Sequence, residues 1–399
     1  MTTSPRKPAP ATAQGTNRDF AAVAGLFIAN GLAVGVLGGS LPGLRAHLSL
    51  GPGHIVGVLV AAAVVAVFSM NLSGALSDRH GARLPALVGG TVMAGGAVLM
   101  GLAPDYRVLI LGAAVFGLGN GAMDVAMNAL GVSVEQARRR PVMSRLHASF
   151  SIGNLVGALL VVGFGWLIAD VAPRWPLWTS ALLLVVLIAA LAGSTPESPE
   201  RSGSADGAGE GGGRGSIPAG VWLLAAMAVC FGLTEGTAID WSSLHVTDVG
   251  GVSPSAGAWG LACVSGFMVV IRLFGDTVVE RVGRVAVVRF GAVCALVGYG
   301  LTAFTSGLAV ILVGWCLVGL GVGLLAPQIY GLAGHIGGAR GLGFVVSFGY
   351  AAFLVGPALI GFVAAQTDLQ RAMLVPVLTA VGLIVLSARL PADPVESQT

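Results

Sequence analysis

Charge is what this sequence has least of. Only 10% of its 399 residues are Asp, Glu, Lys or Arg, against about 25% in an ordinary soluble domain. A soluble chain of this length could not clothe its surface with so few. With 55% hydrophobic residues and a mean hydropathy of +0.88, a soluble enzyme, a nucleic-acid binder and a disordered chain are all excluded. Lysine is nearly absent. Lys7, in the polar leading segment, is the sole example, so neither a Walker-type phosphate loop nor an internal Schiff-base lysine is available. Cysteine is scarce as well, and Cys230, Cys263, Cys294 and Cys316 all fall in apolar runs. They read as small packing residues rather than a disulfide framework. No HExxH or GxSxG occurs and the six histidines lack metal-ligand spacing, so no enzyme, metal or cofactor is expected.

What is present is apolar sequence in long runs. A helix crosses a hydrocarbon core of roughly 30 Å with about 20 apolar residues. Twelve such segments can be marked, at 20–41, 54–76, 84–102, 107–131, 143–169, 177–193, 218–241, 255–278, 286–304, 308–333, 342–366 and 372–390. Their length and continuity predict membrane helices rather than the alternating strands of a barrel. With the N-terminus placed in the cytoplasm, sixteen basic residues fall on the cytoplasmic side and four, Arg45, Arg107, Arg174 and Arg371, on the outer side; Arg272 lies inside a segment. The positive-inside bias therefore puts both termini in the cytoplasm. Residues 1–19 read as a cytoplasmic tail without a cleavable signal, 20–193 as a six-helix bundle, and 194–217 as a Gly-rich flexible linker. Residues 218–391 read as a second six-helix bundle and 392–399 as a cytoplasmic tail.

Two halves of equal helix count invite a search for self-similarity. Asp78-Arg79-His80-Gly81 matches Glu280-Arg281-Val282-Gly283, and Gly117-Leu118-Gly119-Asn120-Gly121 matches Gly319-Leu320-Gly321-Val322-Gly323, both at an offset of 202. Duplicated transporters place their site near the midplane between halves and rock one half against the other. The stretch Gly74-Ala75-Leu76-Ser77-Asp78-Arg79-His80-Gly81-Ala82-Arg83 resembles the signature loop between helices 2 and 3 of the major facilitator superfamily. The 6+6 plan is similar to that superfamily across the whole chain apart from the tails. Residues 117–128 resemble the helix-4 pattern of its fucose-permease-like proton symporters. Residues 143–153 and 235–241 resemble the YbjJ-like branch of that group. The resemblance implies an all-α integral membrane fold of two pseudo-symmetric six-helix bundles. It also implies alternating access, and a loop (Asp78, Arg79, Gly81, Arg83, with Glu280 and Arg281 in the repeat) that latches the inward gate.

Charged groups within membrane segments mark pathways or pairs. Asn120, Asp124 and Asn128 lie four apart and form one polar stripe, facing either the central cavity or a neighbouring helix. The resemblance carries a proton-coupling carboxylate onto Asp124. Glu235 and Asp240 occupy the outer part of helix 7, either as proton or substrate groups or, for Asp240 beside Trp241, as an interface marker. Helix 1 carries no acid, a departure from the fucose-permease pattern that leaves Asn30 as its polar candidate. Arg272 and Asp276, four apart, are expected to pair within their helix, or Arg272 to exchange partners at a gate or bind an anion. His147, near the inner end of helix 5, is either a gating or proton residue or only an interfacial one, and Asn154 is a second candidate in that helix. Pro327 predicts a kink beside Gln328 and Tyr330, which contact substrate or pack.

These residues predict a multi-pass inner-membrane secondary transporter, monomeric, taking a small polar, sugar-like solute with protons and with no nucleic-acid partner. Proton-driven export of an amphipathic compound is the alternative, disfavoured by a 7% aromatic content too low for a broad drug pocket. A sensor that binds solute without moving it stays open.

Overall fold

The computed structural model describes residues 13–140, 142–168, 172–197 and 217–390, without the side chains of 13–16, 52, 276 and 339. The expected tails 1–19 and 392–399 and the linker 194–217 fall largely outside the described residues. Among the described residues, twelve helices are long and apolar enough to cross a membrane. In chain order they are α1 (Asn17–His47), α2 (Gly53–His80), α3 (Arg83–Leu102), α4 (Tyr106–Arg138), α5 (Met143–Leu167) and α6 (Arg174–Ala192). The second set is α7 (Ala219–Gly250), α8 (Ala256–Gly275), α9 (Arg284–Phe304), α10 (Leu308–Gly338), α11 (Arg340–Gln366) and α12 (Leu369–Ser387). Helical structure in α8 continues to Val282. Several helices overrun the apolar segments read from sequence, α4 by seven residues to Arg138. Hydropathy marks where lipid begins, not where backbone hydrogen bonding stops.

Hydrocarbon offers backbone groups no partner, so each segment satisfies its own as a helix. Large apolar side chains such as Phe68, Trp166, Phe304, Phe362 and Leu378 remain exposed around the outside, as a lipid-facing surface requires. Inside, the helices meet through glycine. A Cβ on Gly117 would collide with the Ala62 carbonyl oxygen, and one on Gly319 with that of Val264. Gly119 lies against Gly89 and Met93, and Gly321 against Gly291 and Ala295. Every one of these contacts recurs at the 202-residue offset, so the duplication read from two motifs extends to individual packing atoms. Close approach of this kind is how membrane helices gain van der Waals contact.

The pairing of helices repeats as well. Contacts α1–α5, α3–α4, α2–α4, α3–α6 and α1–α6 have counterparts in α7–α11, α9–α10, α8–α10, α9–α12 and α7–α12. Even the loop glycines agree. Gly81 has φ 80° and ψ 157°, Gly283 φ 81° and ψ 161°, and each caps its helix by donating to a carbonyl four residues back. That left-handed region is open to glycine at no steric cost, which accounts for the shared final residue of the two motifs. The halves meet each other mainly through α5–α8, α2–α11 and α1–α7.

Candidate functional site

The central polar residues are assembled by two breaks in helical regularity and one long arginine. Helix geometry in α10 is interrupted at Gly323 and Leu324. Proline has no N–H to donate, so Pro327 leaves the carbonyl four residues earlier, that of Gly323, without its helical partner. Arg272 Nε on α8 fills that vacancy at 3.0 Å. The rest of the guanidinium then spans both halves. Nη1 donates to Ser151 Oγ at 2.6 Å and to the His147 carbonyl at 3.4 Å, both on α5, while Nη2 donates to Glu235 Oε1 on α7 at 3.0 Å. Arg272 and Glu235 are 8% exposed each, so the ion pair is withdrawn from water.

Among the described residues Arg272 makes an ion pair with Glu235, 37 positions away on another helix, a partner that helical spacing does not point to. The Asp276 side chain lies outside the described residues. Glu235 is the seventeenth of 32 residues in α7, which puts it at mid-depth, not in the outer part of the helix. His147 packs its ring edge-on against Phe27 at 5.5 Å, inside the protein and not at an interface.

A second polar contact crosses between halves. Tyr350 on α11 donates to Asp124 Oδ2 on α4 at 3.4 Å. Asn128 turns back on the same carboxylate, its Nδ2 lying 3.2 Å from Asp124 Oδ1 and 2.9 Å from the Asp124 carbonyl. The stripe on α4 is therefore divided. Asn120 accepts from Asn30 at 3.1 Å, and Asn30 is 1% exposed, so these two clamp α1 to α4 within one half. Asn154, on α5, is buried against Gly35 of α1 with its Oδ1 unpartnered. Asp240 is partly buried and makes no hydrogen bond or ion pair among the described residues. Gln328 is 9% exposed. Tyr330 lays its hydroxyl over Gly349 of α11 and its ring edge-on to Phe231 of α7.

Sequence reasoning missed two contributors. Tyr350 sits in a run of glycine and aromatic residues, Phe348-Gly349-Tyr350, that carries no polar periodicity. Arg45 was read only as a topology marker. It makes a bidentate ion pair with Asp248, joining the far ends of α1 and α7, opposite the face on which the described chain begins. The two residues are 203 apart, nearly the repeat offset, so equivalent helix ends of opposite charge close on each other. A cavity of about 490 Å³ opens beside this pair, lined by Trp241, Ser306, Asp368 and Gln370 among others; it does not include Asp124 or Arg272. At the opposite face, Asp78, Arg79, Glu280 and Arg281 are exposed, and Asp78 makes no contact of the latching kind among the described residues. Arg83 instead ties α3 to the end of α6, through the Ala192 carbonyl and Glu197.

The Arg45–Asp248 pair is partly exposed, so its contribution should be near 1 kcal/mol, a factor of about five in population. Charge reversal at Asp248 (Asp248→Arg) should raise thiol labelling of a cysteine placed at Leu244, beneath the pair. The swapped double variant Arg45→Asp/Asp248→Arg should restore protection. Unchanged labelling in the single variant would remove the pair from any closing role.

The whole chain agrees with known transporters. An uncharacterized transporter of Sinorhizobium fredii is 30% identical over 92% of this chain and 96% of its own length. An uncharacterized MFS-type transporter of Yersinia pestis is 29% identical over 87% and 89%. The crystal structure of the nucleoside transporter NupG superposes with a TM-score of 0.71 at 13% identity, covering 92% of this chain and 99% of that one, a likeness of fold. Residues 23–340 match the Major Facilitator Superfamily, and the chain belongs to that family of membrane transporters.

Proposed function

We propose that this transporter couples the movement of a small polar, sugar-like solute to protons by alternating access, with Asp124 as the coupling carboxylate. The observation that carries the reading is the Asp124–Tyr350 contact, a carboxylate at mid-depth held by a hydroxyl from the opposite half. Rocking of the halves breaks that bond and changes what surrounds the carboxylate, which ties proton exchange at Asp124 to the conformational cycle. Glu235 is the second proton site, paired with Arg272 in this conformation. The Arg45–Asp248 pair is then a closing contact of the outer face. In this reading the termini are cytoplasmic, the membrane is the bacterial inner membrane, the halves 20–193 and 218–391 are the moving bodies, and the protein acts as a monomer. Asn128, Gln328, Tyr330 and Asp240 are assigned to the solute path. Asn30, Asn120 and Asn154 shape the wall behind it.

Asp124→Asn keeps the shape of the side chain and one of its two acceptor oxygens but cannot exchange a proton. In proteoliposomes it should abolish solute accumulation driven by an imposed pH gradient while leaving solute exchange between the two sides intact. Accumulation at the wild-type level would end the assignment.

A further inference from the structure

Among the described residues the Arg272 guanidinium is a buried cation with one carboxylate against it, that of Glu235, which engages it through a single oxygen; the Asp276 side chain lies outside the described residues. Nε and Nη1 are committed to Gly323, Ser151 and His147, which fix the plane of the group. Nη2 meets Glu235 Oε1; its second N–H and Glu235 Oε2 have no hydrogen-bond partner among the described residues. The contrast with Arg45 is instructive, because Asp248 engages that guanidinium with both oxygens. Hydrogen bonds from a guanidinium to an oxyanion are strong and charge-assisted, so Nη2, whose single contact among the described residues is Glu235 Oε1, is the point at which a second anion can take that carboxylate's place.

From this we infer that the solute carries an anionic group, a carboxylate or a similar oxyanion, which binds Arg272 in place of Glu235. The inference rests on the transport reading above and deepens it. An arginine cannot shed its proton to escape burial, so it must always have a counter-ion; a glutamate can accept a proton and leave. One anion therefore exchanges for another: a proton and an anionic solute enter together, and the buried net charge is the same before and after. Ser151 ties the guanidinium itself to the N-terminal half, so an exchange of counter-ion at Arg272 bears on the boundary that rocks. Among the described residues the other titratable or charged groups around this pair are His147 on α5, Tyr299 on α9 and Tyr330 on α10; Asp276 follows Arg272 by one turn of α8, its side chain outside the described residues. His147 meets Arg272 through its backbone carbonyl, and the Tyr299 hydroxyl is committed to the Thr234 carbonyl. Glu235 is thus the acid placed directly on the guanidinium.

The test uses the full-length protein in detergent with three probes: acetate, glucuronate and the neutral sugar glucose. Glu235→Gln leaves the guanidinium without its carboxylate. Acetate and glucuronate should raise its melting temperature, glucose should not, and adding Arg272→Gln should weaken anion binding about tenfold or more, as expected when a charged partner is removed from a buried pair. Wild-type protein supplies a second readout that needs no variant: the two anions should stabilise it more at pH 5 than at pH 8. Equal stabilisation by glucose, or anion binding that survives Arg272→Gln, would overturn the inference, as would wild-type stabilisation by the anions that is the same at both pH values. The transport reading fails separately. Uptake of a neutral solute that depends on the pH gradient and on Asp124 would sustain coupling and sink the anion site. Anion binding at Arg272 without pH-driven uptake would do the reverse.

Discussion

Glu235→Leu should destabilise the protein by about 3–5 kcal/mol, the cost of leaving a buried charge without its partner. Arg272 cannot neutralise itself, and with its side chain 8% exposed it has little access to water. Its bonds to Gly323, Ser151 and His147 hold it in place, so it cannot swing outward without breaking them. The double variant Glu235→Leu/Arg272→Leu removes the stranded charge and should melt well above the Glu235→Leu single variant. It will not reach wild type, because the Gly323 carbonyl is again without a donor, a loss of about 1–3 kcal/mol for an unsatisfied buried group. Thermal melts of the two variants in one detergent check the order. A double variant no more stable than the single would mean that the pair contributes nothing beyond packing.

That pair also shows where the sequence stopped being informative. Arg272 was recognisable as a charge in an apolar run, and the nearest acid, Asp276, offered a partner by helical spacing. The partner seen among the described residues is Glu235 on α7; that α8 turns position 272 toward α7 and α10 is a fact of tertiary rotation that spacing does not encode. Pro327 was legible as a kink, but which side chain would occupy the carbonyl it frees was not. Asp124 and Asn128 were legible from their fourfold spacing, whereas Asn120, on the same stripe, turns to Asn30. The stripe is wide enough that its two ends meet different neighbours. The family, the twelve helices and the duplication were plain, since each depends on local pattern repeated many times.

The second large effect concerns glycine. Gly117→Val and Gly319→Val should each prevent recovery of folded, monodisperse protein, judged by size-exclusion profile after extraction. The first atom beyond Cα would collide with a backbone carbonyl, that of Ala62 or of Val264. Backbone cannot rotate away as a side chain can, so two helices must separate along their contact. Overpacking typically costs about 1–3 kcal/mol, and the further loss of neighbouring glycine contacts puts these sites at or above that range. The two substitutions should be equally damaging because the contacts are copies at an offset of 202. Gly95→Val and Gly300→Val are the controls. Both glycines lie in membrane helices with nothing within 4 Å of a Cβ, and both variants should be recovered normally. Damage at the control sites equal to that at Gly117 would mean that glycine acts through flexibility, not through close approach.

The bond between Arg272 and the Gly323 carbonyl has one more consequence. A helix normally carries its own fastenings; here α10 has a joint at Gly323 whose pin is a side chain of α8. The curvature of α10 below that joint is therefore under the control of whatever else pulls on the guanidinium. Drawing Arg272 by a fraction of an ångström toward a new partner slackens the pin and lets α10 flex beside Gln328 and Tyr330. Occupancy of one point in the membrane is thereby turned into a change of shape along a neighbouring helix.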